Sequence, residues 1–257
     1  MFTTIVRRGA LAASLLMLPI GSSAAEEIVR ESLDETGFVA IFDGKTLDGW
    51  HVSAKSGHSR TSGNESGGRW VVENGAIVGS QDTPGNGGII VTDKQYGDFE
   101  IIVEMKNDYG PDSGLFLRSN DKGQAYQYLV DYRPNGSIAG LYGEGLKPGF
   151  HLRSFSFGDA PEKITEVKGQ APTPLPVSPT EWTTFWKHDQ WKQFRARIEG
   201  NPPEITTWID GVRFMHWQDD QQRAPDAGSI ALQVHGGGNF VGKYVRYRDI
   251  RVKELNK

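Results

Sequence analysis

Polar residues that could act on a ligand recur at two-residue spacing within apolar segments of this chain. Gln233 and His235 alternate with Leu232 and Val234. Because successive side chains of a β-strand point to opposite faces, Gln233 and His235 would share one face and the apolar residues the other. Glycines follow directly at 236–238 and leave space for a ligand beside the backbone. A histidine at a strand end is more often an ordinary surface residue, so a ligand site is indicated only in combination with other segments.

Such segments are present. Six further polar residues lie on a predicted strand face, in a turn or between glycines. They are Asp112, Arg118, Gln127, Asp131, Tyr142 and Glu144. Planar amide, carboxylate and guanidinium groups hydrogen-bond vicinal hydroxyls, and aromatic rings pack on the C–H faces of sugars. The combination favours a carbohydrate ligand, with Trp182 and Trp186 as candidate stacking platforms. For Asp131, a role in starting the turn at Pro134-Asn135-Gly136 stays open.

Composition and motif searches exclude several other chemistries. The 257 residues include no cysteine, which excludes a zinc-thiolate site, an iron–sulfur cluster, a disulfide scaffold and a cysteine nucleophile. The formal charge of −4 and the lack of a basic run argue against nucleic acid as a partner. There is no G-x-S-x-G elbow, P-loop or H-E-x-x-H motif. The paired-carboxylate pattern E-x-D-x-x-E of jelly-roll glucanases is also missing.

Period-two alternation dominates the rest of the chain and predicts the elements that must position these residues. Strands are expected at 38–42, 88–92, 98–106, 114–119, 125–132, 193–199, 228–235 and 243–253. Asn74-Gly75 and Asp210-Gly211 indicate tight hairpins. A short helix capped by Ser178 or Thr180 is expected near residues 179–186, at the end of a proline-rich loop over 157–187. Ten or more short strands predict an all-β, two-sheet antiparallel jelly-roll sandwich.

The N-terminal segment reads as an export signal. Arg7 and Arg8 precede an apolar run from Ala10 to Ile20, and Ser23-Ala24-Ala25 offers a cleavage site. The apolar run is too short to span a bilayer, so no membrane span is predicted. We expect a signal peptide at 1–25, a linker at 26–36, and one β-sandwich domain at 37–257. The expected location is periplasmic or extracellular.

Several motifs resemble those of the 3-keto-disaccharide hydrolase family. Residues 37–50, GFVAIFDGKTLDGW, are similar to the family's opening motif, and residues 230–236, IALQVHG, fit a second one. Shorter matches occur at 98–100, 112–118, 125–127, 142–144 and 208–211, so the resemblance covers about residues 36–255. The chain departs from the family at Tyr126-Gln127-Tyr128, where many members have Tyr-Glu-Val-Gln, and this removes one acidic candidate.

The resemblance implies a concanavalin A-like jelly roll and an activity on oxidised sugars. A ketone at C3 of a glycoside acidifies the C2–H, so a base can remove that proton and the C1 substituent can leave; water then adds. One divalent metal ion could stabilise the enolate, with no organic cofactor. The resemblance implies that His235 is a base or metal ligand, and that Asp131 and Glu144 are the catalytic carboxylates or metal ligands. It implies that Gln127 and Gln233 bind substrate hydroxyls. Arg118 would hold an oxyanion or order Asp131, and Asp112 is a weaker candidate.

Two alternatives stay open at this point. The first is a non-catalytic carbohydrate-binding module of the same fold, which a flat face lined by exposed tryptophans would favour. The second is a conventional hydrolase or lyase acting on an unmodified polysaccharide. Clustering of His235, Asp131 and Glu144 around one pocket would favour catalysis. No sugar, linkage or oligomeric state is predicted.

Overall fold

Seventeen short strands supply most of the regular secondary structure in the computed structural model, which describes Met1 and residues 28–255. In chain order the strands are β1 (Val39–Ala40), β2 (Trp50–Ser53), β3 (Arg69–Glu73), β4 (Ala76–Ser80), β5 (Gly88–Tyr96), β6 (Phe99–Met105), β7 (Asp112–Ser119), β8 (Ala125–Asp131), β9 (Ile138–Glu144), β10 (His151–Leu152), β11 (Phe155–Phe157), β12 (Ile164–Glu166), β13 (Lys192–Glu199), β14 (Glu204–Ile209), β15 (Val212–Gln218), β16 (Gly228–Val234) and β17 (Val245–Glu254). A 3-10 helix spans Gly57–Ser62, and helix α1 spans Pro179–Phe185. The predicted export signal lies outside the described residues.

The strands form two large antiparallel sheets. One sheet has the order β15-β14-β13-β6-β17-β4-β3, with β1 paired to β17. The other has the order β10-β9-β8-β7-β16-β5-β2, and β11 and β12 form a separate hairpin. The predicted all-β jelly-roll sandwich is confirmed. In the described part of the chain, no helix has the length and apolar character needed to cross a membrane.

The core lies between the sheets and is rich in aromatic side chains. On β8, Tyr126, Tyr128 and Val130 are buried in the main hydrophobic cluster, as the alternation predicts. Leu115 of β7 and Leu232 of β16 are aligned in register and also contribute to this cluster. The opposite faces of the same strands therefore remain available for the polar residues.

The turns follow the predicted chemistry. Asn74 and Gly75 join β3 to β4, and Asp210 and Gly211 join β14 to β15, with positive φ at all four residues. Two positive-φ residues in a two-residue hairpin loop match the twist of the adjoining strands. Helix α1 begins at the predicted cap, where the Glu181 N–H donates to Ser178 Oγ at 3.2 Å.

Two segments differ from what their sequence indicates. The proline-rich region 157–187 holds strand β12 as well as the predicted helix α1, and Trp182 packs into the core and donates its indole N–H to the Pro161 carbonyl at 2.8 Å. The described part of the expected linker packs against the eight-stranded sheet. There Glu31 accepts from the Trp208 indole at 2.8 Å, and the Asp34 carbonyl accepts from Arg195 at 2.8 Å.

Candidate active site

A cavity of about 380 Å³ opens on the outer face of the seven-stranded sheet. The 3-10 helix forms one wall, and the ends of β9 and β16 form the other. The lining residues are Gly57, His58, Arg60, Thr61, Gly85, Glu144, His235, Gly236 and Gly237. The cavity thus brings together two imidazoles, one carboxylate and one guanidinium.

His235 follows β16 directly, on the face predicted from the alternation. Its main-chain N–H donates to the Asp112 carbonyl at 3.3 Å, and its Nε2 lies 3.6 Å from Asp112 Oδ2. Burial lowers the pKa of His235 to about 4, with smaller contributions from its neighbours His58 and Arg133. The imidazole is therefore neutral at neutral pH and can accept a proton.

His58 and Arg60 line the cavity, and the sequence analysis identified neither of them. The His58 ring lies 4.8 Å from that of His235, centroid to centroid, and its Nε2 lies 3.6 Å from Glu144 Oε1. Its main-chain carbonyl accepts from the Gly87 N–H at 2.9 Å, which fixes the 3-10 helix to the sheet edge. The segment around His58 is rich in glycine and serine and has no alternation, so spacing offers no signal that pairs it with His235.

The close approach of the two histidines depends on Gly236. A Cβ at this position would collide with the main chain of His58, because the two backbones are in direct contact. The Gln81 side-chain N–H reinforces the loop by donating to the carbonyls of His235 and Gly237, at 3.0 and 2.9 Å. The glycines after β16 are thus needed for packing against the 3-10 helix.

Arg133 holds Asp131 and Asp112 beside the cavity. Its Nε and main-chain N–H each donate to Asp131 Oδ1 at 2.9 Å, and its Nη2 donates to Asp131 Oδ2 at 3.0 Å. Nη2 also reaches Asp112 Oδ2 at 2.8 Å. Both oxygens of Asp131 are therefore engaged by one arginine, and its carboxylate is not directed at a ligand.

Asp112 lies behind His235 and is 4% exposed. Burial raises the pKa of this carboxyl well above its usual range, and the charges of Asp131 and Glu144 add to the increase against the opposing effect of Arg133. Its Oδ1 has no hydrogen-bond partner within residues 28–255. Asp112 is therefore positioned to contact His235 and Arg133 rather than to bind a substrate hydroxyl.

Tyr142 extends the site along the outer face of β9. It is paired in register with Gln127 and is 37% exposed, with the His151 ring edge-on at 5.5 Å. Burial, with the negative charges of Glu144 and Asp112, raises the pKa of its hydroxyl. A half-exposed aromatic ring next to Glu144 can stack on a sugar face.

Three predicted ligand-binding residues lie elsewhere. Trp182 and Trp186 are 0% and 2% exposed and stack on each other at 5.5 Å, so neither ring can serve as a sugar platform. Arg118 donates to Asp98 at 2.7 Å and to the Gly97 and Gly200 carbonyls. Its guanidinium therefore joins turns at the sheet ends and does not order Asp131 or face the cavity.

Gln127 and Gln233 lie beneath the cavity rather than in it. They are 1% and 0% exposed, and Gln127 Nε2 donates to Gln233 Oε1 at 2.9 Å. The prediction that they orient substrate hydroxyls is therefore wrong, because neither amide is accessible. Of the predicted site residues, the cavity itself brings together only His235 and Glu144.

The predicted divalent metal would need several oxygen or imidazole ligands around one point. Within residues 28–255, no group of three or more histidine, aspartate or glutamate side chains is arranged to hold a metal ion. Asp131, one of the three predicted ligands, has both oxygens bound to Arg133. The arrangement does not fit the predicted ligand set, and metal binding stays a prediction from the resemblance.

Comparison with known proteins relates this chain to sugar-active proteins. A family model described as the 3-keto-alpha-glucoside-1,2-lyase-like domain matches residues 37–253. A protein of Bacteroides thetaiotaomicron named 3-keto-disaccharide hydrolase is 30% identical over 104 residues. That alignment covers 38% of this chain and 33% of the relative, so the chain matches about a third of the relative's length.

Solved structures share the fold at low sequence identity. A candidate glycosyl hydrolase from Parabacteroides distasonis ATCC 8503 superposes with a TM-score of 0.52 and 17% identity, covering 89% of this chain and 100% of that chain. An inactivated mutant of beta-agarase B in complex with agaro-octaose gives a TM-score of 0.51 and 12% identity, covering 82% and 87%. These likenesses show the common sandwich architecture alone.

Proposed function

Because this chain belongs to the 3-keto-alpha-glucoside-1,2-lyase-like family, we propose that it cleaves 3-keto glycosides by β-elimination. The family and the named relative support the broader description, a carbohydrate-active enzyme of glycoside hydrolase type. The observation that carries the finer proposal is the convergence of His58, Glu144 and His235 on one cavity, with His235 held neutral.

The proposed reaction has two stages, elimination and then hydration, and it balances in atoms and charge. A base removes the proton from C2, which the neighbouring C3 ketone acidifies, and negative charge develops on the ketone oxygen. The enolate then forms the C1–C2 double bond and the C1–O bond breaks, with a proton passing to the leaving oxygen. Water adds across the double bond, placing hydroxyl at C1 and hydrogen at C2, and yields the free 3-keto sugar.

The cavity offers a group for each task. His235 is the base, because a neutral imidazole accepts a proton and its low pKa keeps it neutral over a wide pH range. After C2 deprotonation His235 carries the proton, and its imidazolium passes that proton to the leaving oxygen, while His58 and Glu144, 3.6 Å apart, orient the sugar beside it. The Arg60 guanidinium lines the same cavity and stabilises the negative charge on the enolate oxygen.

The direct test compares a 3-keto glucoside with its unoxidised parent. Wild-type protein should cleave the ketone at least a hundredfold faster, since only the ketone acidifies C2–H. Glu144→Gln should slow this cleavage, while Asp48→Asn, at an exposed carboxylate away from the cavity, should not. Equal cleavage of both sugars would contradict elimination and favour a conventional hydrolase. Binding without cleavage of either would favour a carbohydrate-binding module.

We also propose that the protein is exported to the periplasm or the medium. The support is the sequence of residues 1–25 alone. Fractionation of cells expressing the full chain, followed by N-terminal sequencing, tests this. Cleavage after Ala25 is expected, and an uncleaved cytoplasmic protein would contradict it.

A further inference from the structure

Gln127 and Gln233 form a buried amide pair whose partners are all inside the protein. Gln127 Nε2 donates to Gln233 Oε1 at 2.9 Å and to the Ser113 carbonyl at 3.2 Å. A buried amide is costly unless its polar atoms are paired. The pair therefore contacts other protein groups and no solvent, and its contact on the cavity side is His58.

The two nitrogens of His58 face different groups. Nδ1 accepts from the Gly236 main-chain N–H at 3.3 Å, and Nε2 lies 2.7 Å from the Gln233 amide nitrogen, Nε2. A main-chain N–H can only donate, so the single proton of the neutral ring belongs on Nε2. Nε2–H in turn needs an acceptor, and the Gln233 amide can offer its oxygen.

A side-chain amide can turn by 180° and exchange its oxygen and nitrogen. If both amides turn, Gln233 accepts from His58 Nε2–H and donates to Gln127 Oε1. In the unturned arrangement, that Oε1 is a buried atom with no hydrogen-bond partner among residues 28–255. Turning both amides also replaces the hydrogen bond from Gln127 to the Ser113 carbonyl with two oxygens 3.2 Å apart, and it moves Gln127 Nε2 to the position without a partner. In the unturned arrangement the Gln233 amide N–H donates to His58 Nε2, so the ring proton lies on Nδ1. It then faces the Gly236 N–H, which is also a donor.

We propose that Gln127 and Gln233 are positioning residues that hold His58 with its proton on Nε2. The same nitrogen lies 3.6 Å from Glu144 Oε1, so the amide pair fixes the orientation of His58 beside the carboxylate of the cavity. Gly114 is required for this arrangement, because a Cβ there would overlap the Gln127 amide. The role of the oriented histidine in turnover rests on the proposed function, whereas its tautomer is a property of the resting protein.

Nitrogen-15 NMR of the histidine rings in the whole protein reports the tautomer directly. The His58 signals are assigned by their loss in His58→Gln. In wild type, Nε2 should show the protonated, pyrrole-type shift and Nδ1 the pyridine-type shift. Gln233→Met removes the acceptor and should give a mixture of tautomers, whereas Gln233→Glu keeps an acceptor and should restore the wild-type pattern. Gln190→Met, at an exposed glutamine, is the matched control.

Kinetics on the 3-keto glucoside separate positioning from substrate contact. Gln233→Met and Gln127→Met should lower kcat by about 10- to 100-fold and leave KM nearly unchanged, as substitutions behind the reacting groups do. A wild-type His58 that carries its proton on Nδ1, or a tautomer unaffected by Gln233→Met, would overturn the proposal. A rise in KM alone would assign Gln233 to the substrate instead. If wild type cleaves no 3-keto glycoside, the proposed function fails while the NMR result still decides this inference.

Discussion

The two faces of the seven-stranded sheet are built from the same strands but behave differently. On β8 the inward side chains of Tyr126 and Tyr128 pack in the core, and the outward side chains of Gln127 and Asp131 take part in polar networks. Both sets are almost fully buried, so burial alone does not distinguish core from site. The inner face packs as part of the main apolar core, whereas the outer face combines a small apolar cluster, which includes Phe116 and Ala231, with polar contacts to His58 and His235.

This contrast implies that substitutions on the inner face should affect stability and those on the outer face should affect turnover.

The largest effect is expected at His235. His235→Ala should reduce cleavage of a 3-keto glucoside by about 10²- to 10⁴-fold, because it removes the proposed base. Circular dichroism should show a folded protein, and His216→Ala, at an exposed histidine of β15, serves as the control. Wild-type activity in His235→Ala would remove His235 from the chemistry.

On the inner face, Leu115→Ala should destabilise the fold by about 2–5 kcal/mol, because it removes buried apolar area and leaves a cavity. Leu115 is fully buried in the main cluster. Chemical denaturation measures the change in the free energy of unfolding, and kcat per folded molecule should stay near wild type. A strong fall in kcat with unchanged stability would break the division between the two faces.

Tyr142 should show a smaller effect, on binding. Tyr142→Ala removes the half-exposed ring beside Glu144 and should raise KM about five- to tenfold, or about 1 kcal/mol. Tyr142→Phe keeps the ring and should bind almost as wild type. If both variants lose affinity equally, the hydroxyl rather than the ring contacts the sugar.

The smallest effect concerns Asp112 and pH. Because burial raises the pKa of Asp112 in the folded protein, the folded state binds more protons here than the unfolded state. Its contribution to stability therefore falls as pH rises above its unfolded pKa. Asp112→Asn should gain stability relative to wild type at pH 7 and gain less at pH 4. Thermal melting at both pH values checks the difference; an equal difference would contradict the assignment.

Much of the fold could be predicted from the sequence because alternation is a local property. The inward residues of β7, β8 and β16, the two Asx-Gly hairpins and the Ser178 cap all depend on neighbours in the chain. The spacing also places Gln233 and His235 on the outer face. Region 157–187 was harder, because Trp182 is positioned by tertiary packing and not by a local pattern.

The site was only partly predictable, because it depends on contacts between distant segments. His58 and His235 are 177 positions apart in the sequence, and their rings lie 4.8 Å apart in the structure. The segment around His58 has no periodicity that would predict this contact. Arg133 binds both Asp131 and Asp112, so two candidate ligands belong to one ionic network. Residue type and strand face identified Gln127 and Gln233 as outward and polar, but not that the 3-10 helix covers them.

The most direct test of elimination is cleavage of a 3-keto glucoside in D2O, with the product sugar examined by NMR and mass spectrometry. Removal of the C2 proton and later addition of water should place deuterium at C2, above the exchange seen without enzyme. His235→Ala should show neither cleavage nor enzyme-dependent exchange. Cleavage with the original hydrogen retained at C2 would contradict proton abstraction and show that the glycosidic bond breaks by another route.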